Sequence, residues 1–287
     1  MKPGPADPAG PVQAAVLAAE ILAVAGPLVG GLWLRATAGP RRERLVAALA
    51  EALPVSRISP ATDDEALFGG VDLAATLALR RPVHRAGLIE KGGIVVLTMA
   101  ERCPPGLAAR LGAAIDAGRI AVLALDEGAA TDEVPPGALT DRLGLFATLD
   151  GIGPASAAPR LSAGTLARAR ARLAGLPLPE AAQVALARAA ASLGVASMRA
   201  LIAAGQAARA HAALEGRDMP SGDDLGVAAA LTLAHHALPA AAEAGPPPPP
   251  SAAEPGEGRE DGDPGDGAAG DVLVAAARAA LPAGLLA

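Results

Sequence analysis

Three uninterrupted apolar runs constrain this chain more than any other feature: GGLWLRA at 30–36, GGIVVLTMA at 92–100 and RIAVLALDEG at 119–128. None shows the apolar–polar alternation of a half-exposed strand, so each reads as a strand buried on both faces. Segments with helical spacing lie between them. RRERLVAALAEALP is closed by Pro54, and CPPGLAARLGAAIDAG has prolines at its start and Gly118 at its end. PVQAAVLAAEILAVA at 11–25 predicts a leading helix, 55–60 and FATLDGI at 146–152 predict further strands, and GALTDRLG predicts a short helix. Strands alternating with helices imply an α/β fold, a parallel sheet flanked by helices on both faces. Trp33, Phe68 and Phe146 are the only aromatics in the chain, so the core must be built from Leu, Val, Ile and Ala.

The pattern changes beyond residue 155. Residues 160–174, 179–193, 196–215 and 221–238 all show helical spacing, and Ser221 followed by Asp224 resembles a capping box. Residues 239–270 contain five consecutive prolines and then an acidic, Gly-rich tract that cannot bury a core, which predicts a disordered linker. The expected organisation is an α/β domain over 1–155, an all-helical module over 156–238, the linker over 239–270, and over 271–287 the start of a further unit cut short.

A formal net charge of −6 and a pI near 5.3 argue against nucleic acid as a partner. With so few aromatics there is also no base-stacking platform. The single Cys103 excludes an internal disulfide and fits a reducing compartment. MKPGPADPAGP has no apolar segment of a secretory signal, and the longest apolar runs are broken by Gly, Pro or Arg short of a membrane span. A cytoplasmic protein without a membrane span is expected. His84, His211 and the pair His235–His236 show no metal-ligand spacing, and the pair is expected at an exposed helix end. Asp63-Asp64-Glu65 reads as a solvated loop and Cys103 as a buried small residue. Ser197 and Ser221 have no histidine in helical register to make a nucleophile.

Residues 35–46, RATAGPRRERLV, follow the first strand at the place where nucleotide-binding proteins carry G-x-x-x-x-G-K-[ST]. Anchored on Gly39, the register puts Arg41 at the last glycine, Arg42 at the lysine and Glu43 at the hydroxyl. Glu43 would set an anion against anionic phosphate. Two readings stand: a structural turn with a solvated basic helix start, or a degenerate phosphate loop that keeps weak nucleotide binding through Gly39 and Arg42.

The segments LVGGLWLRATAGPRRER, ATDDEALFGGVDLAATL, RPVHRAGLIEKGGIVVLTMAER, ALTDRLGL and SMRALIAAGQAARAHAALEGRDMPSGDD together resemble the N-terminal AAA+ part of the D-type subunits of magnesium chelatase. The resemblance implies an AAA+ sheet, a helical lid, and an acidic Pro-rich linker leading to an integrin-I-type domain that this sequence does not contain. It also implies a function. The magnesium chelatase complex inserts Mg²⁺ into protoporphyrin IX in (bacterio)chlorophyll synthesis, as a ligase forming a nitrogen–metal bond. ATP is hydrolysed by its I-type AAA+ ATPase component, and the D-type component serves as the platform of the ring.

Carried onto this chain, the resemblance puts Thr98 and Met99 where an active AAA+ strand ends in Asp-Glu, with Glu101 just beyond as a helix-start charge. Ala124, Leu125 and Asp126 fall around the polar sensor position. Arg142 matches the arginine finger, which acts in trans on a neighbour's γ-phosphate; otherwise it forms a salt bridge to an acid such as Asp141. Arg199 matches the sensor-2 arginine of the lid, either at a subunit contact or vestigial. The expectation is a non-hydrolysing platform that binds no cofactor tightly, within a complex that uses ATP and Mg²⁺. Its partners would be the I-type ATPase, other copies in a ring, and the porphyrin-binding H-type component through the missing domain. A MoxR-like AAA+ regulator or chaperone and a pure scaffold are the alternatives.

Overall fold

The computed structural model describes residues 10–130, 132–149, 159 and 161–237. The expected boundary at 155/156, the whole of the linker and the segment 271–287 lie outside these residues.

Helix α1 (Pro11–Ala25) runs through a 3-10 turn (Gly26–Val29) into strand β1 (Gly31–Arg35). Helix α2 (Pro40–Ala52) and strand β2 (Val55–Ile58) follow. An insertion comes next: α3 (Asp64–Phe68), β3 (Gly69–Val71), α4 (Leu73–Leu79), β4 (His84–Ala86) and α5 (Leu88–Lys91). The chain then returns to the sheet with β5 (Ile94–Leu97), α6 (Pro105–Asp116), β6 (Ala121–Asp126), α7 (Gly137–Thr140) and β7 (Leu145–Thr148). Four longer helices complete it: α8 (Ala163–Gly175), α9 (Glu180–Ser192), α10 (Met198–Leu214) and α11 (Gly222–Thr232).

The sheet has five strands in the order β2-β5-β6-β1-β7, and every pairing is parallel. Its strands therefore share one carboxyl-terminal edge, where open α/β sheets bind ligands. Successive residues face opposite layers. Leu32, Leu34, Val96, Leu123 and Leu125 pack with α1, α2 and the helical module, while Val95, Leu97, Val122 and Ala124 pack on Leu107, Leu111, Leu139 and Leu143. This two-sided burial is why the strands read as unbroken apolar runs.

The expected strands and long helices form with small shifts of boundary. Sequence patterning did not find the β3–β4 antiparallel hairpin, whose three-residue strands are too short to show a period. Helix α4, between its strands, buries none of its residues.

Residues 12–29 correct another expectation. Gly26 and Pro27 do not break the run, because the chain passes directly from α1 into the 3-10 turn. By length and hydropathy (mean 1.9) this 18-residue stretch would suit a membrane crossing, and 67% of it is buried inside the structure. Its packing against β1, β7, α8 and α10 makes it the central helix of the core.

Candidate functional site

The carboxyl-terminal edge of the sheet holds the phosphate-loop position. After β1 the chain runs through 36–39 in extended or irregular form, and α2 opens with Pro40 in its first turn. A Cβ placed on Gly39 would meet nothing within 4 Å, so no close approach of backbone requires a glycine there.

Arg42 is buried, 7% exposed, the one departure from a helix start that is otherwise exposed or part-exposed as expected. Its Nη1 donates to Glu127 Oε1 at 2.6 Å and to the Ala36 carbonyl at 3.4 Å. A buried guanidinium needs an anionic partner, and here a carboxylate from the loop after β6 supplies it. Glu43 accepts from Arg57 Nη2 at 2.9 Å, and that hydrogen bond does most to hold its carboxyl below the usual range.

Glu101 lies in the first turn of a 3-10 helix (Ala100–Arg102), as expected, and its side chain is also a brace: its Oε2 accepts the Glu127 backbone N–H at 3.0 Å and so positions the partner of Arg42. Asp126, fully buried, accepts from Trp33 Nε1 and from the Gly128 N–H, both at 2.8 Å. Arg35 reaches across the edge to the carbonyls of Gly128 and Ala130 at 2.9 and 2.7 Å.

At the end of β5, Thr98 Oγ1 donates to the Ile58 carbonyl, and Met99 sits in the left-handed region with φ 49°. The cleft beside them, about 440 Å³, is lined by Met99, Glu101, Arg102, Glu127, Gly128, Ala129 and Glu133. A Mg²⁺–nucleoside triphosphate would meet three carboxylates in this cleft, no hydroxyl at Glu43 and no carboxylate pair at Thr98–Met99. The one cation at the lysine position is already engaged. These residues do not fit that ligand. No group of three or more potential metal ligands occurs among the described residues.

Arg142 lies at the opposite, amino-terminal edge, three residues before β7. Its carbonyl passes so close to Gly30 that a Cβ there would come within 2.0 Å of the oxygen, and Gly30 has φ +71°. Arg142 Nε donates to Asp116 Oδ2 at 2.9 Å and Nη1 to the Ala138 carbonyl at 2.6 Å. Its carboxylate partner is thus Asp116, not Asp141. Arg199, in the first turn of α10, donates through Nη1 to Asp116 Oδ1 at 2.6 Å, and its Nε lies 3.3 Å from Asp141 Oδ2. The fold therefore brings together two arginines that the sequence separates by the whole start of the helical module. Desolvation works to raise the Asp116 pKa, but the two guanidinium hydrogen bonds outweigh it and lower the carboxyl. Neither Asp116 nor Glu127 had a signal in the sequence, because each matters only through a partner distant in the chain.

The histidine pair is not at an exposed helix end. His235 stacks on Phe146 (5.2 Å between centroids) and meets the edge of Trp33 at 6.3 Å, and Trp33 in turn meets Phe146 edge-on at 4.9 Å. The residue as a whole is part-buried, and both its ring nitrogens are buried without a hydrogen-bond partner. The other minor candidates have structural roles. Asp63 caps α3 and Asp64 pairs with Arg110 at 2.8 Å, so this stretch is a helix start and not a loop. Ser197 and Ser221 cap α10 and α11, and burial pushes the Cys103 thiol up to about 11.

The AAA lid domain family matches residues 183–255. A magnesium-chelatase 60 kDa subunit from Cereibacter sphaeroides is 47% identical over 241 residues, 83% of this chain and 43% of that protein. A protein of the same name from Rhodobacter capsulatus is 45% identical over 135 residues, 46% of this chain and 24% of its own length. The chain spans less than half the length of these relatives. Among solved structures, a Cytophaga hutchinsonii protein provisionally assigned as an ATPase superposes with a TM-score of 0.57 at 16% identity, covering 78% of this chain and 87% of its own. A full-length MCM homolog from Methanopyrus kandleri gives 0.55 at 19% identity, covering 75% and 52%. At these identities the structural likeness speaks for the fold alone.

Proposed function

We propose a function from one premise: this chain belongs to the magnesium-chelatase 60 kDa subunit family, of which it represents an AAA+ part. It acts as a non-hydrolysing platform in an ATP-dependent complex that inserts Mg²⁺ into a porphyrin. The single observation carrying this reading is the Arg42–Glu127 ion pair at the phosphate-loop position. The Arg42 side chain is buried (8% exposed) as well as paired, so it offers no face to phosphate, unlike the part-exposed Arg142 and Arg199, and the cleft beside it is lined by three carboxylates and one arginine. Mg²⁺ and ATP belong to the neighbouring subunits on this account, and porphyrin is handled by another component of the complex.

The second half of the role lies at the opposite edge. In the ring that this reading requires, the amino-terminal edge of one sheet would face the phosphate loop of the next. Arg142 and Arg199 on that edge would meet the γ-phosphate held by a hydrolysing AAA+ neighbour, where a cation stabilises transition-state charge. A chain that binds no nucleotide can still complete its neighbour's site in this way. The partners are accordingly the ATPase component, further copies in a ring, and the porphyrin-binding component through the portion of the relatives that this chain does not span.

The test is Arg142→Ala in the full-length protein, reconstituted with the ATPase component. The ATP turnover that depends on the platform should fall about a thousandfold, the low end for loss of an arginine finger, with assembly intact. Unchanged turnover and chelation would leave only a scaffold.

A further inference from the structure

We infer that Asp116 is the positioning residue that turns Arg142 and Arg199 into one phosphate-binding unit; this rests on the trans role proposed above. Its two oxygens are shared out, Oδ2 to Arg142 Nε at 2.9 Å and Oδ1 to Arg199 Nη1 at 2.6 Å. Two guanidinium groups repel each other, and a carboxylate between them is the simplest means of holding both at one place.

The anchoring beneath the pair is rigid. Asp116 is the last residue of α6, where the helix carbonyls add a partial negative charge that favours cations nearby. One turn earlier, Gly112 leaves room for the Arg142 side chain: a Cβ there would lie 3.0 Å from both its Cδ and its Nε. Arg142 is held on its far side by the Ala138 carbonyl, and Arg199 by Asp141, which also accepts from Ser197 Oγ at 3.4 Å. Arg142 belongs to the α/β layer and Arg199 to the helical module, so Asp116 also fixes how the module presents its arginine relative to the sheet.

Asp116 touches no phosphate in this scheme. It sets the spacing and orientation of the groups that do. A guanidinium displaced by an ångström loses most of its value for a transition state. A neighbour's γ-phosphate, with more charge than one carboxylate, draws on the outward parts of both groups while Asp116 keeps the inner nitrogens in place.

The experiment uses the full-length protein with its ATPase partner and compares wild type, Asp116→Asn, Asp116→Glu, Arg142→Ala and the double variant Asp116→Asn/Arg142→Ala. Asp116→Asn should lower the kcat of partner-dependent ATP turnover roughly ten- to hundredfold while leaving the KM for ATP and the size of the assembly unchanged. Asp116→Glu should restore part of the loss, and Asp116→Asn should cost clearly less once Arg142 is Ala, the remainder acting through Arg199. If Asp116→Asn leaves kcat per assembled complex at the wild-type level while Arg142→Ala lowers it, the positioning role is wrong and the trans role stands. An additive loss in the double variant likewise overturns it, since Asp116 would then act elsewhere. No loss from Arg142→Ala itself removes the trans role and this inference together.

Discussion

Asp224→Ala should lower the unfolding free energy by about 3–4 kcal/mol. Asp224 is fully buried at the start of α11. Its carboxylate accepts from His211 Nδ1 at 2.6 Å, from Arg217 Nη2 and Nε at 2.5 and 3.0 Å, and from Ser221 N and Oγ at 2.6 and 2.8 Å. Burial alone would raise this carboxyl, but the donors outweigh it and hold the pKa well below the usual range. Truncation strips His211 and Arg217 of a shared counter-charge and removes half of the capping box. Ser221→Ala, which removes only a cap, should cost about 1 kcal/mol. Urea unfolding of the two variants beside wild type measures both values, and equal costs would refute the network. Because the Asp224 pKa is depressed in the fold, its contribution is complete above about pH 3.8 and fades only as pH falls below that value.

The second large effect depends on pH. His235 is lowered from 6.5 to about 3, first by desolvation and then by its neighbour His236. The unfolded chain therefore binds a proton between about pH 6.5 and 3 that the folded chain refuses. Stability is highest above the window and falls as pH drops through it, by about 2–3 kcal/mol between pH 7 and 4.5. His235→Phe keeps a ring against Phe146 and Trp33, and it removes both unpartnered nitrogens. The variant should be at least as stable as wild type at pH 7 and should lose correspondingly less by pH 4.5. Parallel pH dependences for the two proteins would contradict this. The Asp224 network titrates lower, so the two contributions separate along the pH axis.

What the sequence made legible follows from how local each signal is. Strands β1, β5 and β6 were readable because burial on both faces leaves an unbroken apolar run. The cap at Ser221 and Asp224 was readable because its partners are three residues apart, and the structure forms both halves of the box. The β3–β4 hairpin was not, since its strands are too short to show a period. The site residues divide in the same way. Arg42, Arg142 and Arg199 could be singled out from motif positions. Their partners Glu127 and Asp116 are acids like any other until the fold brings them within hydrogen-bond range. His235 was misplaced for a related reason: a histidine near a helix end looks exposed unless the aromatics it stacks on, nearly a hundred or more residues away in the chain, are known to be there.

At the phosphate-loop edge, the fold has kept a strand–loop–helix while its charges have turned inward. Arg42 with Glu127, Glu101 with the Glu127 amide, Glu43 with Arg57 and Asp126 with Trp33 each pair within the chain. The central claim is that this edge no longer serves a nucleotide of its own. Titration of the full-length protein with a fluorescent ATP analogue and Mg²⁺, in the absence of the ATPase component, tests it directly. The account predicts no saturable binding up to about millimolar nucleotide, a free energy weaker than about −4 kcal/mol, and no turnover. Micromolar, Mg²⁺-dependent binding accompanied by hydrolysis would contradict it.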